Sequence, residues 1–421
     1  MSLMLTAGFA GLVMLGVPFA LAIGAVVIGA LTLADMEPAF LAQQVIAGSQ
    51  SFSLLAIPLF MLAGVLMTAG GLSQRLVDVA STLVRHRTGG LAMVTVLAAL
   101  VFSAISGSAP ATTAAIGSIM IPAMVAAGYD RAFAAATAVS AGVLGPLIPP
   151  SIAFVIWGIV AEQSIGRLFL SGIVPGLAIA AGLLVICWLH ARRVGVPRQA
   201  PASWGEVATA ANRGKWALLS PVFVLGGIYG GVFTPTEAAA MSCVYALLVG
   251  ALIERRLPLR RLPSLILESV RTSAMVTAII AVSAGFGVLV AQERIAVQFA
   301  EWLASNVQER WLALAGLNLA FFLLAAVMDE IAIMVILGPM LIAVASKFGI
   351  DPIHFGSIIV TNVAIGMAAP PIGYCLFVGM AISGLPLVAI ARAIWPHILV
   401  MLVVLMLTTY VPGFALVFQP R

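Results

Sequence analysis

Apolar residues fill long blocks of this chain, and polar residues are confined to short stretches between them. A helix needs about 20 mostly apolar residues to cross a bilayer, whereas a spanning β-barrel would alternate polar and apolar positions. The pattern therefore predicts helices. Full spans are expected at Met4 to Leu31, Phe52 to Gly70, Phe169 to His190, Trp216 to Val232, Glu237 to Ile253, Leu265 to Ala291 and Leu387 to Phe414. Arg75 to Arg87 and Glu293 to Arg310 read as helices lying at a membrane surface. The opening residues lack a basic leader and a clear cleavage site, so they read as a retained span.

Two apolar segments do not fit simple spans. Gly89 to Gly128 lies between Arg87 and Arg131, and its middle is the small, helix-breaking run Ser106-Gly107-Ser108-Ala109-Pro110. The segment from Arg310 to Lys347 carries Met328-Asp329-Glu330 at its middle. Each reads as a re-entrant hairpin, 89–128 and 311–347, with two full passes as the alternative. After each comes the same pattern. Gly128-Tyr129-Asp130 precedes Pro149-Pro150, and Gly349-Ile350-Asp351 precedes Pro370-Pro371, with nineteen residues from Asp to first Pro in both. Gly158 and Gly379 follow at matching distances. With an odd number of spans between the copies, they lie in opposite orientation.

Composition fixes the environment. Of 421 residues, 62% are hydrophobic and 8% charged, with a mean hydropathy of +1.18, against about 25% charge in a soluble domain. The expected class is an all-α polytopic membrane protein in contact with membrane lipid. The net charge of +5 matters through its location and implies no nucleic-acid partner. The span layout puts fifteen Lys and Arg on the cytoplasmic side and five outside (Arg167, Arg294, Arg310, Lys347 and Arg421). The N-terminus is then cytoplasmic and the C-terminus on the opposite face. Cys187, Cys243 and Cys375 sit in apolar runs without paired spacing and read as small packing residues. The expected organisation is a first inverted repeat over 1–190 with a broken helix at 131–165, a cytoplasmic loop and connector span over 191–234, and a second repeat over 235–421 with a broken helix at 352–384.

Inverted repeats with interrupted helices are the architecture of secondary transporters, whose sites lie where the interruptions meet. Proline removes a backbone donor and obstructs the preceding turn, so the runs Gly145 to Ser151 and Gly366 to Pro371 are expected to break helix and free carbonyl oxygens. Such oxygens coordinate Na⁺ well. A first candidate Na⁺ site comprises Ser106, Ser108, Gly145, Ile148 and Pro150, and a second Asp329, Gly366, Ala369 and Ile372. Candidate solute contacts are Ser106, Thr112, Asp329 and Glu330. An acid near the bilayer centre usually marks an ion or substrate path.

These residues resemble a family, the large membrane subunit of tripartite ATP-independent periplasmic (TRAP) transporters. The resemblance is carried by Ser106-Gly107-Ser108 through Ala114 to Met124, by Gly145 to Ser151, by Phe233-Thr234-Pro235-Thr236-Glu237-Ala238, and by Asp351-Pro352-Ile353-His354-Phe355-Gly356 leading to Pro370-Pro371-Ile372-Gly373. It implies an elevator fold and Na⁺-coupled import of a small, usually carboxylate-bearing solute across a bacterial inner membrane. It also implies two partners, a small four-helix membrane subunit and a periplasmic substrate-binding protein. The chain departs from the family pattern at Ala109, Thr112, Glu330-Ile331 and Ala369. Sites built on backbone survive such changes. No Arg or Lys stands at the expected midplane to hold a carboxylate, and Glu330 favours instead a solute carrying an amino group.

Rival classes fare worse. An intramembrane hydrolase would need a base beside Ser106 or Ser108, or a second acid to pair with Asp329, and His86, His190, His354 and His397 fall near expected span ends. No enzyme is expected. A passive channel would also use broken helices, and solute accumulation driven by Na⁺ separates the two. No Walker A pattern occurs, so ATP is not expected to drive the chain directly.

Overall fold

The computed structural model describes residues 8–9, 11–12, 15–17, 19–33, 37, 39–196, 198–307 and 309–419. Met4, the expected start of the first span, and Arg421 lie outside the described residues. Among those described, every regular element is helical, and seven segments are long and apolar enough to cross a membrane: Phe52–Ala69, Ala109–Ala126, Ile165–Val194, Pro235–Ile253, Leu259–Gln292, Glu330–Lys347 and Leu387–Tyr410.

An outer group of helices holds α1 (Phe19–Leu33), α2 (Ala39–Ser49), α3 (Ala56–Ala69) and α4 (Leu72–Val84). It also holds α10 (Trp204–Tyr229), α11 (Pro235–Leu248), α12 (Leu262–Gln292) and α13 (Ile295–Asn306). Here α3 packs along α11, α4 along α10, and both α1 and α2 along α12. The α2 helix is an addition to the sequence reading, which leaves Ala39–Ser49 unassigned. Gln43 and Gln44 interrupt its apolar run, and the helix is held by close packing instead: a Cβ on Gly48 would come within 2.6 Å of the Ala284 Cβ on α12.

The polar stretch from Ala191 to Lys215 is mostly helix rather than loop. Helix α9 (Ile165–Val194) runs into it with Arg192 and Arg193 in its last turn, where cations complement the helix dipole. Helix α10 then starts early, at Trp204, because Ser203 and Glu206 form a capping box. The expected connector Trp216 to Val232 is thus the C-terminal part of a longer helix. Two ion pairs fasten the amphipathic α4: Arg85 to Glu206 at 2.6 Å, and Arg75, whose Nε and Nη2 converge on one oxygen of the nearly buried Glu254.

The inner group contains the two puzzling segments. Helices α5 (Gly90–Ser106) and α6 (Ala109–Ala126) are followed by α7 (Arg131–Gly142), α8 (Ile152–Val160) and α9. Later, α14 (Arg310–Ala325) and α15 (Glu330–Lys347) are followed by α16 (Pro352–Gly366), α17 (Tyr374–Ser383), α18 (Leu387–Tyr410) and the short α19 (Pro412–Leu416). The side chains of Asp130 and Asp351 cap α7 and α16 by accepting from the Phe133 and His354 amides at 2.9 and 2.8 Å. The second helix of each pair packs on the far helix of the other set, α6 on α17 and α15 on α8. Glycines permit both crossings. A Cβ on Gly117 would meet Ile382 at 3.4 Å, and one on Gly338 would collide with Val160. Gly117 and Gly338 occupy the same position in α6 and α15, the ninth residue of each.

Candidate functional site

Between α7 and α8 the chain leaves helical geometry from Val143 to Ser151. Pro146, Pro149 and Pro150 cannot donate, and the bonds that remain are short-range: Leu144 N–H to the Ala141 carbonyl, Gly145 N–H to that of Gly142, and Leu147 and Ile148 N–H to that of Leu144. The carbonyls of Gly145, Ile148 and Pro150 accept no hydrogen bond among the described residues, although all three residues are buried. Buried carbonyls are normally paired, so this cluster marks a place where backbone oxygen is available to something else. Ser151 ends the break by donating its hydroxyl to the Pro146 carbonyl while accepting from the Phe154 amide as cap of α8.

The tip between α5 and α6 presses onto this break. Gly107 takes left-handed φ of 62°, a conformation natural to glycine, and its carbonyl accepts from the Ile152 amide at 3.2 Å. A Cβ at Gly107 would lie 2.6 Å from the Pro150 carbonyl oxygen, and one at Gly145 would collide with the Ser108 carbonyl. Backbone therefore meets backbone. The buried hydroxyls of Ser106 and Thr112 bond each other at 2.7 Å, and Ser108 spends its carbonyl on the Thr112 amide at 3.0 Å.

The second break runs from Met367 to Gly373. The carbonyls of Ala369 and Ile372 accept no hydrogen bond among the described residues, while that of Gly366 takes the Ala369 amide at 2.9 Å. Its tip docks in the same way as the first: the Ala326 carbonyl accepts from the Ile372 and Gly373 amides at 3.2 and 2.9 Å. A Cβ on Gly366 would collide with that of Ala325. The Pro149–Pro150 and Pro370–Pro371 peptide bonds are both cis.

The structure thus gathers Ser106, Ser108, Thr112, Gly145, Ile148 and Pro150 at one tip and Asp329, Glu330, Gly366, Ala369 and Ile372 at the other. Asp329 is partly buried and caps α15, its side chain accepting from the Ile331 amide at 3.1 Å. Glu330 is 5% exposed. Helix α17 packs on α6, and Cys375 in its first turn lies beside Thr113 and within electrostatic reach of Glu330. All three cysteines are buried and free, as their apolar settings suggest.

The sequence reading passes over one polar network. Asn318 on α14 donates to Thr409 on α18 at 2.8 Å, and Asn362 on α16 donates to both the carbonyl and the side-chain oxygen of Asn318 at 2.9 and 3.0 Å. All three residues are buried. The available signal was an amide side chain inside an apolar segment, which needs a partner wherever it is buried. The histidines also sit deeper than expected. His354 and His397 are fully buried, bonded to the Thr408 carbonyl and the Thr137 hydroxyl at 2.7 and 3.3 Å, and His190 stacks on Phe133 with ring centroids 3.5 Å apart.

Residues 6–414 match the family described as "Tripartite ATP-independent periplasmic transporter, DctM component". The chain is 41% identical over 391 residues to the C4-dicarboxylate TRAP transporter large permease protein DctM of Pseudomonas aeruginosa, covering 92% of each chain. It is 39% identical over 420 residues to the isethionate TRAP transporter permease protein DctMQ of Oleidesulfovibrio alaskensis, covering 97% of this chain and 65% of that one. Among solved structures, the YdaH transporter of Alcanivorax borkumensis shares the fold with a TM-score of 0.62 at 16% identity, over 89% of this chain and 87% of that one. By sequence over nearly its whole length, the chain belongs to the large permease, or DctM, family of TRAP transporters, multi-pass membrane proteins that carry solutes.

Proposed function

We propose that this chain is the carrier subunit of a Na⁺-driven importer for a small organic acid or zwitterion, working in a bacterial inner membrane. The observation that carries this reading is the duplicated break: two sets of unpaired carbonyls, a buried one at Gly145, Ile148 and Pro150 and a more open one at Ala369 and Ile372, each capped by a docked tip. Oxygen-rich, proton-independent clusters of this kind suit a monovalent hard cation. Ser106 and Ser108 add oxygens to the first, and Asp329 adds a carboxylate to the second. The solute would then lie between the tips, against Ser106, Thr112, Asp329 and Glu330.

The crosswise packing of α6 on α17 and α15 on α8, through glycines at matching positions, supports an inverted repeat over 1–190 and 235–421 joined by 191–234. In this reading the inner group moves as an elevator against the outer group, and the α5–α6 and α14–α15 pairs are re-entrant hairpins. The distribution of Lys and Arg supports a cytoplasmic N-terminus and a periplasmic C-terminus. Two partners are proposed, a small four-helix membrane subunit and a periplasmic substrate-binding protein. Support for the first comes from the Oleidesulfovibrio alaskensis relative, whose name joins M and Q and which extends well beyond the length of this chain.

Thermal unfolding of the purified chain in NaCl against KCl tests the ion sites. Na⁺ is expected to raise the unfolding temperature where K⁺ does not. Replacing Pro149-Pro150 by Ala-Ala, or Pro370-Pro371 by Ala-Ala, is expected to abolish that rise as the helix closes over its carbonyls. Equal stabilisation by both ions, or a Na⁺ response unchanged in both variants, removes the assignment.

A further inference from the structure

The least satisfied side chain at either tip is Glu330. It opens α15, an 18-residue helix, and is 5% exposed. Neither of its carboxylate oxygens takes a hydrogen bond among the described residues, and Oε2 is completely enclosed. No described Lys, Arg or His forms an ion pair with it, the ion pairs among the described residues being Arg75 with Glu254 and Arg85 with Glu206. Its neighbour Asp329 is differently placed, because capping the Ile331 amide satisfies that carboxylate locally. Glu330 lies within electrostatic reach of Cys375 on α17, which is beside Thr113 on α6. The unpaired acid therefore opens the second tip without an ion-pair partner among the described residues, while α17 packs on α6 of the first pair.

Burying an ionised carboxylate without a partner costs several kcal/mol, a cost that a positively charged ligand group would offset. We propose that Glu330 is the counter-ion for an ammonium group on the solute, so that the chain carries short amino-bearing acids in preference to the same acids without the amine. The charge pattern supports this over a dianion. A dicarboxylate entering here would meet Asp329 and Glu330 side by side, whereas a zwitterion presents its ammonium to Glu330 and its acid group to hydroxyls and amides such as those of Ser106, Thr112 and the first turn of α6. This proposal rests on the reading of the tips as the solute site.

Matched probes isolate the amine. Aspartate differs from succinate by one ammonium group, and taurine differs from isethionate by an ammonium in place of a hydroxyl. Binding of these four to the purified chain in NaCl is measured by thermal shift and titration calorimetry. Wild type is expected to bind at least one amino probe about tenfold or more tighter than its partner, in line with charge-assisted hydrogen bonding. Glu330→Gln, which keeps the side-chain shape, is expected to erase the preference, and Glu330→Asp, which keeps the charge, to retain it at lower affinity. Succinate and isethionate each binding as well as its amino partner overturns the proposal, and so does a wild type that responds to neither amino probe. A preference unchanged in Glu330→Gln overturns it equally. The Na⁺-induced rise in unfolding temperature is read on the same samples. Its persistence while the amine preference fails removes this proposal alone, and its absence removes the transport reading beneath it.

Discussion

The two tips dock on their breaks by the same device, a backbone carbonyl accepting from the start of the following helix, yet they are held in different ways. At the first, α5 and α6 pack along each other and both lie against α7, and the break from Gly145 to Ser151 is buried throughout. Ser106 is also pressed by the outer group, since a Cβ on Gly64 of α3 would sit 3.4 Å from its Cα. At the second, α14 and α15 touch only near their turn. Helix α14 is anchored to α16 and α18 by Asn318, Asn362 and Thr409, while α15 leans on α8, α12 and α13. Pro371 is exposed and Ile372 is 39% exposed. Small residues make a tip whose arms cannot separate without breaking backbone contact. A polar anchor on one arm leaves the other free to take different neighbours.

The comparison is broken most forcefully at Gly107. Alanine there must adopt a left-handed conformation and place a methyl against the Pro150 carbonyl, a destabilisation of about 2–4 kcal/mol from strain and overpacking together. Val327, at the second tip, is 50% exposed, and Val327→Ala is expected to change stability by no more than about 0.5 kcal/mol. Thermal unfolding in detergent reads both. Similar losses in the two variants would mean that the first tip is not held by backbone packing. A smaller effect is expected in accessibility. Because the native cysteines are buried, a cysteine at Ile372 should react with a membrane-impermeant maleimide about tenfold faster than one at Ile148, thiol modification following access. Equal rates would erase the difference between the breaks.

Much of this was legible because the physics is local. Apolar blocks and Pro-Pro interruptions act within a few residues, so Pro149-Pro150 and Pro370-Pro371, at the same spacing from Asp130 and Asp351, mark both breaks in the sequence. Ser106-Gly107-Ser108 marked a tip for the same reason. The unforeseen features are mostly tertiary. Helix α2 owes its place to α12, whereas the start of α10 at Trp204 is local, set by the Ser203–Glu206 capping box that the polar composition around it hides. The partner of Asn362 is on another helix, and nothing within either segment says that it will be Asn318. The splayed second pair is likewise invisible in sequence, since Val327-Met328-Asp329-Glu330 reads as a turn whichever way its arms diverge.

The finest contrast concerns how much the first tip owes to its own side chains. Ser106 and Thr112 bond each other across the turn at 2.7 Å where both are buried, and among the described residues Ser106 Oγ has besides this only long contacts of 3.5 Å to the Ser108 backbone. A single such bond contributes about 0.5–1.5 kcal/mol, and removing one partner leaves the other hydroxyl unsatisfied. Ser106→Ala and Thr112→Val should therefore each destabilise the Na⁺-free chain, while the double variant should cost less than their sum, with a coupling of about 0.5–1 kcal/mol in a double-mutant cycle. Asp329→Asn offers the control at the second tip, because its cap bond is made to the Ile331 amide within its own helix and shares nothing with the Ser106–Thr112 pair. Combined with Ser106→Ala it should be additive. Strict additivity between Ser106→Ala and Thr112→Val would show that the hydroxyl pair does not brace the tip, leaving Gly107, Gly145 and Gly64 to hold it by backbone contact alone.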